Sequence, residues 1–181
     1  LRKEAVEPTN KGLRYIGLEH MDSGETRVNR FGSEDEVRST KNRFYEGDIL
    51  YGKLRPYLDK VAIMNFDGIC STDIIVITTS SNRVSADYLV NLLHLPSFLS
   101  FATSTMTGVN HPRTSWKALT PFMIPLPSIV TQKRIAETLF TIDQKIEAGE
   151  NQKRALEALF KTLLSSLMTG KIRVNNLEVP V

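Results

Sequence analysis

The chain has 181 residues, 41% hydrophobic and 24% charged, an ordinary composition for a water-soluble fold and long enough for one real core. No apolar run approaches a membrane span, a lone Cys70 excludes an intramolecular disulfide, and no Cys/His cluster has metal-ligand spacing, so no metal or other cofactor is expected. A formal charge of +3 and a pI near 9.0 lean only slightly towards a polyanionic partner; Leu1 does not open a signal peptide, and a reducing, cytoplasmic home follows as the default.

The first dozen residues, with Pro8, Asn10 and Gly12, carry few apolar groups and read as an entering arm. Leu13 to Leu18 has the pattern of a short strand, whereas Asp22 to Glu36 is polar, holds Gly24 and Gly32, and reads as a loop or irregular hairpin. Gly47 to Gly52 has a buried-strand core between turn residues, with Val61 to Met64 as its neighbour. Asp73 to Thr78 is β-branched throughout its centre and is the clearest strand. From Ser85 the period changes: Ala86 to Leu95 has helical spacing behind a Ser85 N-cap, Pro96 stops it, and Ser97 to Met106 can form a second helix. A polar loop from Thr107 to Trp116 follows, and Phe122 to Pro125 reads as a short strand. Strands and helices without regular alternation define an α+β domain with a mixed or mostly antiparallel sheet.

From Ile129 to Thr169 a helical period persists far longer than a globular helix needs, with Ser128 as N-cap and Gly170 as stop. Ile135, Leu139, Ile142, Ile146, Gly149, Lys153, Leu156, Phe160, Leu163 and Leu167 recur at alternating four- and three-residue steps, the heptad seam of a coiled coil. Two copies packed antiparallel about a two-fold near Asn151 would set Ile135 against Leu167, Leu139 against Leu163, Ile142 against Phe160, Ile146 against Leu156 and Gly149 against Lys153. The seam is self-complementary in that register. Residues 1–127 are thus expected as a globular domain, 128–170 as a long coiled-coil helix, and 171–181 as a tail.

GDILYGKLRPY (Gly47 to Tyr57) and GVNHPRTSWKALTPFMIPLPSIVTQ (Gly108 to Gln132) run into the helix, with YIGLEH (Tyr15 to His20) and GICSTD (Gly68 to Asp73) before them. Together they closely resemble a target-recognition domain and conserved helical region in the specificity subunit of type I restriction-modification systems. Such subunits usually carry two domains and two helices, the helices pairing antiparallel so that each domain reads half of a split double-stranded DNA site. This chain resembles one half. The helix partner is then a second copy or the missing half of the subunit. The resemblance also implies a subunit that catalyses nothing itself, with methyltransferase and restriction subunits assembling around it.

Within the motifs, Lys53 and Arg55 alternate with Leu54, a spacing that puts both cations on one side to meet phosphates or a guanine edge; a solvated basic hairpin is the plainer alternative. Gly52 would allow close backbone approach, and Tyr57 could stack, hydrogen-bond or join the core. Asn110, His111, Arg113, Thr114, Ser115 and Lys117 supply donors within a few residues, as a recognition loop requires, and Trp116 anchors that loop. Cys70, Ser71, Thr72 and Asp73 lack a nearby His and read as the start of a buried strand rather than a nucleophile. Asp143, Gln144 and Lys145 imitate part of a nuclease signature but flank the seam as surface charges. With no glycine-rich phosphate loop, the chain reads as a DNA-specificity module and not an enzyme. A coiled-coil adaptor whose globular domain binds protein is the competing class.

Overall fold

The computed structural model describes residues 1–8, 12–79 and 82–173. In chain order the strands are Ala5–Val6 (β1), Arg14–Ile16 (β2), Gly32–Ser33 (β3), Lys41–Phe44 (β4), Ile49–Gly52 (β5), Val61–Ile63 (β6), Gly68–Cys70 (β7) and Ile74–Ile77 (β8). The helices are Ala86–Leu93 (α1), Pro96–Ser104 (α2), Trp116–Leu119 (α3) and Ile129–Met168 (α4), with single 3-10 turns at Leu18–His20, Glu34–Glu36 and Pro56–Leu58. Two compact units result, 1–136 and 137–181, the first containing the sheets and the opening turns of α4.

A three-stranded antiparallel sheet, β6-β5-β8, forms the middle layer of the first unit. Successive strand side chains point to opposite faces. Ile49, Tyr51, Val61, Ile63, Ile75 and Ile77 therefore join Val90, Leu93, Phe98, Ala102 and Leu119 from the helices, while Leu50, Ala62, Ile74 and Val76 join Ile16, Phe44 and Cys70 of the second sheet. Burial on both faces is why these strands read as unbroken apolar runs. The second sheet has five strands in the order β1-β4-β7-β2-β3, antiparallel except where β2 lies parallel to β7.

Several expectations change. Of the entering arm, residues 9–11 lie outside the described residues and residues 1–8 join the fold: Arg2 donates through its backbone N–H to the Val76 carbonyl and pairs through Nε with the buried Asp48 at 2.9 Å, and β1 zips onto β4. Phe122 to Pro125 is not a strand. Pro121 and Pro125 have no N–H to give a ladder, and this segment docks by its side chain, Phe122 meeting Phe98 and Phe101 with ring centroids 5.1 Å apart. Cys70 ends β7 instead of starting a strand; burial, with the charge of Asp48 adding, pushes its thiol up to about 12, so it stays protonated. Pro96 both ends α1 and opens α2 at N1, and Ser85 occupies the N-cap of α1 without a side-chain cap bond.

Ser128 caps α4, its Oγ accepting from the Thr131 N–H at 3.3 Å, and Gly170 closes it at φ +68°. Inside the first unit Gln132, fully buried, donates from Nε2 to the Arg83 and Pro127 carbonyls, both at 2.8 Å, and accepts the Ser85 N–H at 2.9 Å. Along the second unit the seam lies open, from Leu139 at 36% to Phe160 at 66% exposed, with Leu167 half-buried. The tail expected at 171–181 lies outside the described residues from 174 onward.

Candidate functional site

Two segments far apart in sequence are stitched together beyond the end of β5. The Lys53 N–H donates to the Asp73 carbonyl at 2.9 Å, the Thr114 N–H to the Lys53 carbonyl at 3.0 Å, and the Arg55 N–H to the Pro112 carbonyl at 2.8 Å. Thr107 and Arg113 exchange both backbone hydrogen bonds, at 3.0 and 2.9 Å, which closes Gly108 to Pro112 into a tight hairpin tip. Gly108 takes φ +97° there, a conformation that disfavours any side chain.

One ion pair locks the two segments to β8. Arg113 grips Asp73 bidentately, Nε to Oδ1 at 2.8 Å and Nη2 to Oδ2 at 3.0 Å, while Nη1 donates to the His111 carbonyl at 3.1 Å. The hydrogen bonding between Arg113 and Asp73, aided by the charges of Arg113, Lys53 and His111, holds the Asp73 carboxyl below the usual carboxylate range, and the same pairing raises Arg113 above its ordinary value. The Ser71 to Asp73 turn, read in sequence as the start of a strand, is thus the brace of the site. Only the tertiary pairing could have revealed it.

The sequence-predicted residues divide by their surroundings. Arg55, Tyr57, Asn110, His111 and Lys117 are exposed, and Lys53 is half-buried. Tyr57, at 46% exposure, stays out of the core. Arg55 adopts φ +49°, so the chain leaves the extended conformation there and simple alternation does not place its side chain. Thr114 is buried, its hydroxyl 2.7 Å from the Thr105 hydroxyl, and the exposed Ser115 spends its Oγ on the Ala118 N–H to cap α3. Both are structural supports of the loop. Gly52 does permit a close approach, but to Leu18 and Lys60, whose atoms a Cβ would meet at 2.8 and 3.3 Å. Trp116 packs on the helical core as expected.

Behind the 53–57 segment stands a pairing the sequence did not disclose. His94, at the end of α1, lies with Nδ1 2.9 Å from Asp59 Oδ1 and donates from Nε2 to the Val61 carbonyl at 3.1 Å. Asp59 itself sits at φ +49°. The His94 clamp supports that left-handed turn at the far end of the Pro56–Leu58 helical turn. Among the described residues no three His, Cys, Asp or Glu side chains gather as a metal site, and no helix is long and apolar enough to cross a membrane.

Comparison with known proteins gives the family and the fold. Residues 8–158 match the family model of the type I restriction modification DNA specificity domain, and the chain belongs to that family. It is 29% identical over 164 residues to the type I restriction enzyme EcoDI specificity subunit of Escherichia coli, covering 87% of this chain and 36% of that protein. The MjaVIII specificity subunit of Methanocaldococcus jannaschii is 34% identical over 98 residues, 54% of this chain and 23% of that one. The HsdS subunit from Thermoanaerobacter tengcongensis shares the fold, with a TM-score of 0.70 at 19% identity over 99% of this chain and 49% of that one. The chain therefore spans well under two thirds of the length of these relatives.

Proposed function

We propose that this chain is the non-catalytic DNA-reading part of a type I restriction-modification specificity subunit, recognising one half of a bipartite duplex site. Methyltransferase and restriction subunits act on the site it selects. The observation that carries this reading is the stitched pair of loops, in which backbone hydrogen bonds and the Asp73–Arg113 brace join the segment of Lys53 and Arg55 to the hairpin of Asn110 and His111, with Tyr57 and Lys117 exposed just beyond them in sequence. Cations at Lys53, Arg55 and Lys117 suit phosphates, while the Asn110 amide and the His111 ring can address base edges. Family membership supports the same assignment. The open seam of α4 takes an antiparallel partner helix, from a second copy or from the other half of a longer subunit.

A salt titration of duplex binding by the purified chain tests the reading. Affinity should fall linearly with the logarithm of salt concentration, and Lys53→Ala or Arg55→Ala should each reduce the slope by about one if the lost contact is to a phosphate, or relax base preference if it is to a base. No duplex binding at low salt would return the adaptor reading. Methyl transfer or strand cleavage by the chain alone would overturn the non-catalytic part.

A further inference from the structure

Among the described residues no large hydrophobic side chain is more exposed than Val109, at 95%. Singly exposed apolar residues are common on proteins and need no function. The position of this one is what sets it apart. Val109 sits at the apex of the hairpin closed by Thr107 and Arg113, next to Gly108 at φ +97°, and its neighbours Asn110 and His111 are exposed with it. The base of that hairpin is fixed twice, by the Arg55 N–H on the Pro112 carbonyl and by the bidentate Arg113–Asp73 pair. The tip is thus presented on a preorganised support beside Lys53 and Arg55, the cations placed by the proposed reading of this site.

A base edge in the major groove offers one apolar group, the C5 methyl of thymine, among donors and acceptors. Val109 has the shape to cover it: its short branched head packs on a methyl group. It does not resemble the longer wedges that unstack base steps from the minor groove. We propose that Val109 is a specificity-determining residue that reads a thymine methyl, with Asn110 and His111 available for the polar edges of the same or adjacent pairs. This inference rests on the proposed DNA-reading function.

The test is selection of duplexes by the full chain from a random library, then binding of the enriched duplex with each thymine replaced in turn by deoxyuridine, which removes only the methyl. The parent should lose about fourfold in affinity at one position, the value of one buried methyl group. Val109→Ala should bind the thymine duplex more weakly and lose that discrimination, while Val109→Ile should keep it; unfolding midpoints should match the parent because the side chain touches solvent. A parent indifferent to uracil at every position, or Val109→Ala retaining the full penalty, overturns the inference and leaves DNA reading intact. Enrichment of no sequence overturns both.

Discussion

Arg55 illustrates how a single side chain can be separated from the fold that holds it. At φ +49° it occupies a conformation that glycine adopts without steric cost, and the residue is exposed. Arg55→Gly should therefore leave thermal stability unchanged within about 1 kcal/mol, or raise it slightly, while duplex affinity drops by about 1–3 kcal/mol if the lost contact is to a base. Equal affinity in a folded variant would remove Arg55 from the site. Asp73 behaves oppositely, because its charge is part of the framework. Its folded-state carboxyl is depressed below the ordinary value of 3.8 by Arg113, so its contribution is fully present above that value and is lost as pH falls through the lower folded one. Asp73→Asn should be less stable than the parent at neutral pH, and the two unfolding midpoints should converge between about pH 5 and pH 2. A gap that stays constant through that range would show that the pair does not brace the loop.

At the scale of elements, legibility followed burial. β5, β6 and β8 were readable because both faces are covered and the segments are continuous apolar runs. Three strands of the outer sheet were not. β1 has two residues, β7 has three and opens on Gly68, and β4 reads Lys-Asn-Arg-Phe, with its cations held by neighbouring aromatics: Lys41 over Tyr15 and Arg43 over Tyr45. Such strands exist by tertiary pairing, which overrides local propensity. The loops divided similarly. Gly108, Asn110, His111, Pro112 and Arg113 made 108–113 legible as a polar loop, but its partnership with 53–55 and with Asp73 is long-range, and so it carried no local signal. Gln132 is the corresponding case in the long helix, a polar residue that a heptad reading passes over. Replacing it by Ala would strand the Ser85 N–H and the Arg83 and Pro127 carbonyls, at a cost of about 2–4 kcal/mol in denaturant unfolding. A loss under about 0.5 kcal/mol would mean that water replaces all three bonds.

For the whole molecule the seam of α4 is the decisive feature. Ile142, Ile146, Leu156 and Phe160 are each about half exposed or more, and large apolar surface of this regularity calls for a partner. In the antiparallel register centred near Asn151, Leu139→Asp with Leu163→Asp would face carboxylates across the pair. Sedimentation should then show association of the parent and not of the variant, with the melting of the sheet-containing unit unchanged. A parent that is monomeric at all concentrations would assign the partner helix to a different segment.

With its seam paired as proposed, α4 would set the spacing between two reading units. At 1.5 Å per residue the 40 residues of α4 span about 60 Å, so two copies paired antiparallel would hold their helix starts roughly that far apart. Identical units should read inverted half-sites separated by an unread gap on the order of one helical turn, about 10 base pairs. The most direct measurement is duplex selection with the parent and with a variant carrying one extra heptad on each side of Asn151, which lengthens the rod by about 21 Å. The expected result is an interrupted palindrome whose half-sites are the same in both proteins and whose gap is longer in the variant. An unchanged gap, or a single uninterrupted site, would contradict it.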